Sequence, residues 1–399
     1  MKKLFIMAML VVSTATAFAQ DALKTILKSK DYSEAKSLLT SNLSTLTAEQ
    51  KAKAYNKLVE LSMVKVKKEK DIMSANQLAK QFGQGKEEPV DNAGMYAALA
   101  NALKDAMECD KYDNMPNDKG KVAPKYHKSN QTKLWLDRVH LISAGQDASD
   151  KNDNKTAFEN YALYVESGVA PLFADMDKSS APDTYLSEVA RVAGVIAYQD
   201  KDYDTANKYI DVALGDTATY KDALSLKMLV MQQQMKTHED SVKCLTEFEK
   251  LYAKDSYNET IFTNLATIYG QLGMKDKQAA FIQQRLTAMP NDFMALAVKG
   301  QAEMNESKWD EAIADFKKAA AVKDDALVLT WLGFCLTNKA AGLANVADQK
   351  PLVEETKDCL EKARQLDPNQ ERANWRYLLY STYYNLYGEN DARTKELAQ

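Results

Sequence analysis

The stretch 259–326 constrains the chain most, because it holds two tandem segments of 34 residues with matching small and large side chains. In the first, Leu265, Ala266 and Tyr269 are followed by Ile282 and Pro290. In the second, Gly300 precedes Trp309, Ala312, Phe316 and Ala319. Apolar residues recur every three or four positions, which is helical spacing, and a break near the middle of each segment makes it a hairpin of two helices. One such hairpin cannot bury its own apolar face. Hairpins must therefore stack, and a sequence period of about 20–50 residues is the mark of a stacked array.

The composition suits this reading. The 399 residues include only 14 Gly and 8 Pro, too few for a turn-rich β fold, and the periodic segments are filled with good helix formers. The spacing resembles the tetratricopeptide repeat (TPR) family, which places a small residue at position 8, a large one at 11, an aromatic at 17, Ala at 20, a large residue at 24, Ala at 27 and often Pro at 32. The pattern repeats in units near 138–171, 187–220, 225–258, 259–292, 293–326, 326–370 and 373–399. The unit at 187–220 fits best, with Gly194, Tyr203, Ala206, Ile210 and Ala213 at positions 8, 17, 20, 24 and 27. The unit at 225–258 is degenerate: Gln232 stands at the small position and Cys244 at an alanine position. In the unit at 326–370, about eleven residues are inserted around 340–350, between the two helices. The resemblance implies an all-α fold, an α-solenoid of stacked antiparallel hairpins forming a right-handed superhelix, with the array proper at 131–399.

The region 20–130 is less regular. A hairpin is expected over 21–43. Thr47 and Gln50 form a capping-box pair that opens a helix over 48–67, with Tyr55, Leu58, Val59 and Ser62 on one face. A basic run at 64–70 reads as a solvated face, and a separate helix over 71–82 stops at Gly83 and Gly85. The next helix spans 91–109. After it, 110–130 contains Pro116, Gly120 and Pro124 among Lys119, Lys121, Lys125 and Lys128, and is expected to be an irregular insert. It is either a partner-contacting loop, through its lysines and Tyr112 or Tyr126, or a solvated connection. A linker is expected at 172–184.

The first 19 residues read as a signal peptide: Lys2 and Lys3, an apolar run from Leu4 to Val12, and a small-x-small site ending at Ala19. The apolar run is too short to span a bilayer. No cysteine follows Ala19, so a lipoprotein anchor is not expected. The expected destination is periplasmic or secreted, and no integral membrane segment is expected after cleavage. The formal net charge is −4, falling to −6 without Lys2 and Lys3, which gives no reason to expect nucleic acid as a partner. The four cysteines are too few for a disulfide scaffold, although Cys335 and Cys359 lie on the two helices of one hairpin.

No catalytic constellation is present. The three histidines, His127, His140 and His238, lack metal-ligand neighbours, and no phosphate loop or nucleophile elbow occurs. Asp150, Asn152 and Asn154 imitate a calcium loop, but Lys155 and Tyr161 stand where Gly and Glu are needed. No metal site, cofactor or enzymatic activity is expected. The resemblance implies binding along the concave face, through positions 2, 5, 9 and 12 of each first helix. Here these positions include Glu188, Arg191, Tyr198, Gln233, Lys236, Thr263, Thr267, Gln301, Thr330, Phe334, Tyr377 and Tyr384. The set mixes polar and aromatic side chains and lacks a recurrent Lys/Asn carboxylate clamp, so an extended or helical protein segment suits it. The function expected is a non-enzymatic, exported scaffold for protein or peptide partners in the cell envelope. The alternative is a glycan-binding component of a nutrient-uptake system, using the aromatic run Trp375, Tyr377, Tyr380, Tyr383, Tyr384 and Tyr387.

Overall fold

A computed structural model describes residues 19–83, 86–117 and 119–398. Among them every regular element is a helix. The chain divides into two compact units, with the division between Gln232 and Gln233. That point lies inside the degenerate unit at 225–258.

The first unit contains α1 (described over 19–28), α2 (Tyr32–Asn42), α3 (Ala48–Phe82), α4 (Asn92–Asp113), α5 (His127–Leu134), α6 (His140–Ser149), α7 (Asn154–Gly168), α8 (Leu186–Gln199) and α9 (Tyr203–Ala213). It also holds most of α10 (Tyr220–Gln234). The second unit contains α11 (His238–Lys254), α12 (Glu259–Gln271), α13 (Lys275–Ala288), α14 (Phe293–Asn305), α15 (Trp309–Val322), α16 (Ala326–Ala341), α17 (Val346–Leu366), α18 (Arg376–Tyr387) and α19 (Ala392–Leu397).

The hairpins pack as the spacing requires. A methyl group added at Gly300 would stand 2.8 Å from the ring of Phe316, and one added at Gly194 would stand 3.0 Å from Ile210. The small position of the first helix is therefore the point of closest approach to the large position of the second. Gly145 meets Tyr161 in the same way, again sixteen residues on. Gly333 meets Leu360, twenty-seven residues on, so the eleven-residue insertion is real. Its place differs from expectation. Only 342–345 connect the two helices; the rest lengthens both of them, α16 to Ala341 and α17 from Val346, with Pro351 inside α17.

A second regularity lies in the turns. Asn152, Lys201, Gly273 and Ser307 all have left-handed backbones, with φ of 59°, 62°, 70° and 59°. Each occupies the fifteenth position of its unit. The N–H of the following residue donates five residues back, from Asp153 to Ala148 O, Asp202 to Ala197 O, Met274 to Tyr269 O and Lys308 to Glu303 O, at 2.9–3.0 Å. This is the closure that satisfies orphan carbonyls at a helix C-terminus. The unit at 225–258 has no such turn; Glu239 at its fifteenth position is already helical.

Three expectations for the first unit are corrected. The segments 48–67 and 71–82 form one helix, α3, opened by the Thr47–Gln50 capping box and ended by Gly83 at φ +64°. Its basic run is continuous with it because Lys65, Lys67 and Lys70 are paired, with Asp91, Asp71 and Asp137. Gly85 lies outside the described residues. The irregular insert is shorter than 110–130, since α4 runs on to Asp113 and α5 begins at His127. The stretch 172–184 is not a free linker. Leu172 and Phe173 are buried, Trp135 Nε1 donates to Ala181 O at 2.9 Å, and Arg138 pairs with Asp183 at 2.8 Å. No disulfide joins Cys335 to Cys359, and Cys109, Cys244 and Cys335 are buried.

Candidate partner-binding surface

In the first unit, Arg191 lies half-buried on α8 and forms a forked ion pair with Glu188, at 2.6 and 2.9 Å. That bond holds Glu188 below the usual carboxylate range, against some burial, and lifts Arg191. Tyr198 sits on the same helix, its ring 6.0 Å from that of Tyr203. Gln233, the first residue of the second unit, is exposed at the end of α10. Lys236 lies beyond that end, in the connection to α11, and is not on the helical face expected of it. The cause is local: Thr237 and Asp240 form a capping box that starts α11 immediately afterwards.

In the second unit, Thr263 and Thr267 project from α12, but their hydroxyls donate to the carbonyls of Glu259 and Thr263 at 2.8 and 2.9 Å. Only their acceptor lone pairs and methyl groups face outward. Gln301 is half-buried on α14. Thr330 is buried, with its hydroxyl donated to Ala326 O at 2.7 Å, and cannot meet a partner. Helix α16 is apolar nearly all round and is packed by α15 and α17, which covers the face where Thr330 was expected to be open. Phe334 on that helix is exposed, edge-on to Trp309 at 6.1 Å.

Helix α18 divides its aromatic residues. Trp375 and Tyr383 are buried, whereas Tyr377 is 72% exposed and Tyr384 47%. Trp375 donates its Nε1–H to Asp367 O at 2.7 Å, and Tyr383 donates its hydroxyl to Glu361 at 2.8 Å. Those two rings cap the core of the unit. Tyr377 and Tyr380 open onto a cavity of 600 Å³ together with Gln370, Asn374 and Arg376. Tyr384 lies against Tyr380 at 6.3 Å.

A groove in the first unit went unread in the sequence. It encloses 560 Å³ between α4, α6 and α7. Ala97, Ala100, Ala144 and Ala148 line it with Tyr96, Asn101, Asp147 and Asn160, and Lys104, Lys151, Asp153 and Glu159 add charge of both signs. Burial and the neighbouring Asp147 both raise the Tyr96 pKa. The alanines recur at helical spacing on α4 and α6, the same signal as a packing face, so only the tertiary arrangement separates a groove from a core.

No protein-family model and no curated protein matches the sequence. Solved structures similar to it include a tetratricopeptide repeat protein from Parabacteroides merdae (14% identity, 65% of this chain and 77% of that one, TM-score 0.30). MamA from Desulfovibrio magneticus is similar at 15% identity, over 45% of this chain and 97% of that one, TM-score 0.33. YrrB, described as a TPR protein with an unusual peptide-binding site, is similar at 16% identity, over 62% and 95%, TM-score 0.24. At these values the fold assignment rests on the chain's own hairpins. With the same small-to-large contact and the same left-handed turn recurring in register, the fold of this chain is that of a tetratricopeptide repeat array.

Proposed function

We propose that the chain is an exported, non-enzymatic scaffold that binds protein or peptide partners in the cell envelope. The observation that carries this reading is the groove on α4, α6 and α7. Its small alanine side chains leave room for a peptide backbone, and its amide, hydroxyl and charged side chains match peptide N–H and C=O groups. Arg191, Tyr198, Gln233, Gln301 and Phe334 add outward polar and aromatic contacts on repeat helices. Crosslinking of the mature protein in the host envelope fraction, followed by mass spectrometry, tests it. A small recurrent set of partners, with crosslinks on these helices, is the expected result; no recurrent protein would sink the reading. Export is tested separately, since cleavage after Ala19 makes Gln20 the first residue of the exported protein. Terminal sequencing of envelope material checks this, and an intact Met1 there would refute it.

A glycan-binding reading is favoured by one feature, the exposed ring of Tyr377 beside Arg376, Asn374 and Gln370. Sugars stack on such rings and hydrogen-bond to such groups. An oligosaccharide panel read by intrinsic fluorescence decides it, and a silent panel would end it.

A further inference from the structure

The segment between α7 and α8 is anchored at both ends. Leu172 and Phe173 are buried, and Ala181 and Asp183 accept hydrogen bonds from Trp135 and Arg138. Between these anchors the turn at 174–180 reaches α5 through the exposed carboxylate of Asp175. Lys128 Nζ lies 2.8 Å from its Oδ2, His127 Nε2 lies 2.9 Å from its Oδ1, and Gln131 Nε2 donates to the same Oδ1. These bonds, that of Lys128 first, hold the Asp175 carboxyl well below the usual carboxylate range.

His127 is half-buried between two carboxylates. Its Nδ1 lies 2.5 Å from Asp110 Oδ1 on α4, and its Nε2 meets Asp175. A charged imidazole donates from both nitrogens; a neutral one donates from one and accepts at the other. A neutral His127 therefore serves one carboxylate only. Asp110 is the one retained, because it is buried and Asp175 is exposed, and an unmatched buried carboxylate costs more than one that water can solvate. Nε2 then turns a lone pair toward Asp175. Gln131 supplies a donor for it. The buried Gln131 amide nitrogen stands 2.9 Å from Nε2 and donates one N–H to Leu172 O at 2.7 Å. Its second N–H goes to Asp175 while His127 is charged, and is free to turn to Nε2 when it is neutral. Asp175 then keeps Lys128, in an exposed ion pair of the kind that contributes little.

The other charged groups about His127 are Lys111 and Asp113 on α4, Lys125 just before α5, and Lys128. Lys125 is paired with Glu49 of α3. Carboxylates and ammonium groups ordinarily titrate below about 5 and above about 9, so the imidazole is the group that changes charge between them.

We propose that His127, Gln131 and Asp175 form a proton-dependent latch. Charged, His127 holds the turn at 174–180 against α5; neutral, it takes the second N–H of Gln131 and lets Asp175 go. Release opens the cavity of 510 Å³ that Pro171, Asp175, Lys125 and Lys128 line, so the surface presented by the first unit depends on pH. Burial opposes the imidazole charge, but Asp110 and Asp175 outweigh it, and the closed form binds the proton more tightly than a free imidazole does. The latch is therefore closed below the free value of about 6.5 and opens as pH rises through the higher value of the closed form.

The test follows the full mature chain by proton–nitrogen NMR from about pH 5.5 to about pH 8.5, on either side of the imidazole range. The backbone amides of Asp175 and Met176 and the side-chain amide of Gln131 are expected to titrate together, with the midpoint of the His127 ring. The open fraction is expected to rise about tenfold, the effect of one pKa unit. The substitution Asp175→Asn, at an exposed side chain, is expected to keep the fold and abolish the step at Met176. His127→Gln is expected to abolish it at Gln131 as well. Backbone amides at 175–176 that do not follow the His127 midpoint overturn the latch. So does a Gln131 amide that stays still while the ring titrates, and so does an undiminished step at Met176 in Asp175→Asn.

Discussion

Single side chains fasten the parts of this chain that the repeat does not explain. Arg138 is fully buried, with its guanidinium 4.5 Å from the rings of both Trp135 and Tyr164. It donates to Ser167 Oγ, Tyr164 O and Asp183 Oδ2 at 2.7–2.9 Å. Removing one member of a buried pair strands the other, so Arg138→Ala is expected to cost about 3–5 kcal/mol, measured by urea unfolding. A loss under 1 kcal/mol would contradict that role. Arg285 does similar work in the second unit, bonding Asp292 at 2.8 Å and Ser256 O at 3.2 Å, at a position where the repeat places alanine. His127 lies between Asp110 and Asp175, at 2.5 and 2.9 Å. Burial opposes its charge, but the two carboxylates prevail and raise its pKa above the ordinary value. Its stabilising effect is therefore complete below the unfolded value of about 6.5 and lost as pH rises through the higher folded value. NMR titration is expected to place the imidazole midpoint above that of a free histidine in wild type and lower in Asp110→Asn. An unmoved midpoint would refute the clasp.

The hairpins obey two local rules with opposite consequences for glycine. At the fifteenth position the backbone is left-handed, so Lys201→Gly relieves a conformation that L side chains disfavour. It is expected to stabilise the protein by about 0.5–1 kcal/mol in thermal unfolding. Destabilisation would mean that the Lys201 side chain contributes more than its backbone costs. At the eighth position the demand is for space. Gly300→Ala drives a methyl group into the fully buried Phe316 ring, and Ala312→Leu overpacks the same hairpin. Each is expected to cost about 1–3 kcal/mol. Wild-type stability of both variants would show the register to be wrong. The eleven-residue insertion follows the same logic. A length difference leaves the contact of Gly333 with Leu360 intact, because the extra residues lengthen the facing ends of α16 and α17, beyond that contact.

For the whole molecule, the sequence determined the fold class, the hairpin boundaries near Gly194, Gly300 and Gly333, and the pairing of small with large positions. These depend on spacing along one chain, and helical periodicity is local. Exposure was legible for Tyr377 and Tyr384 for the same reason. Tertiary packing decided the rest. Thr330 lies where a surface residue was expected because α16 is enclosed by its neighbours. The apparent linker at 172–184 is held in place because Arg138 and Trp135, some 45 residues earlier, supply its hydrogen-bond partners. The groove on α4, α6 and α7 is lined by alanines of α4 and α6, and an alanine on a helix reads alike whether it lines a cleft or a core. Periodicity tells which face of a helix is apolar; only the relative placement of distant segments determines what covers it.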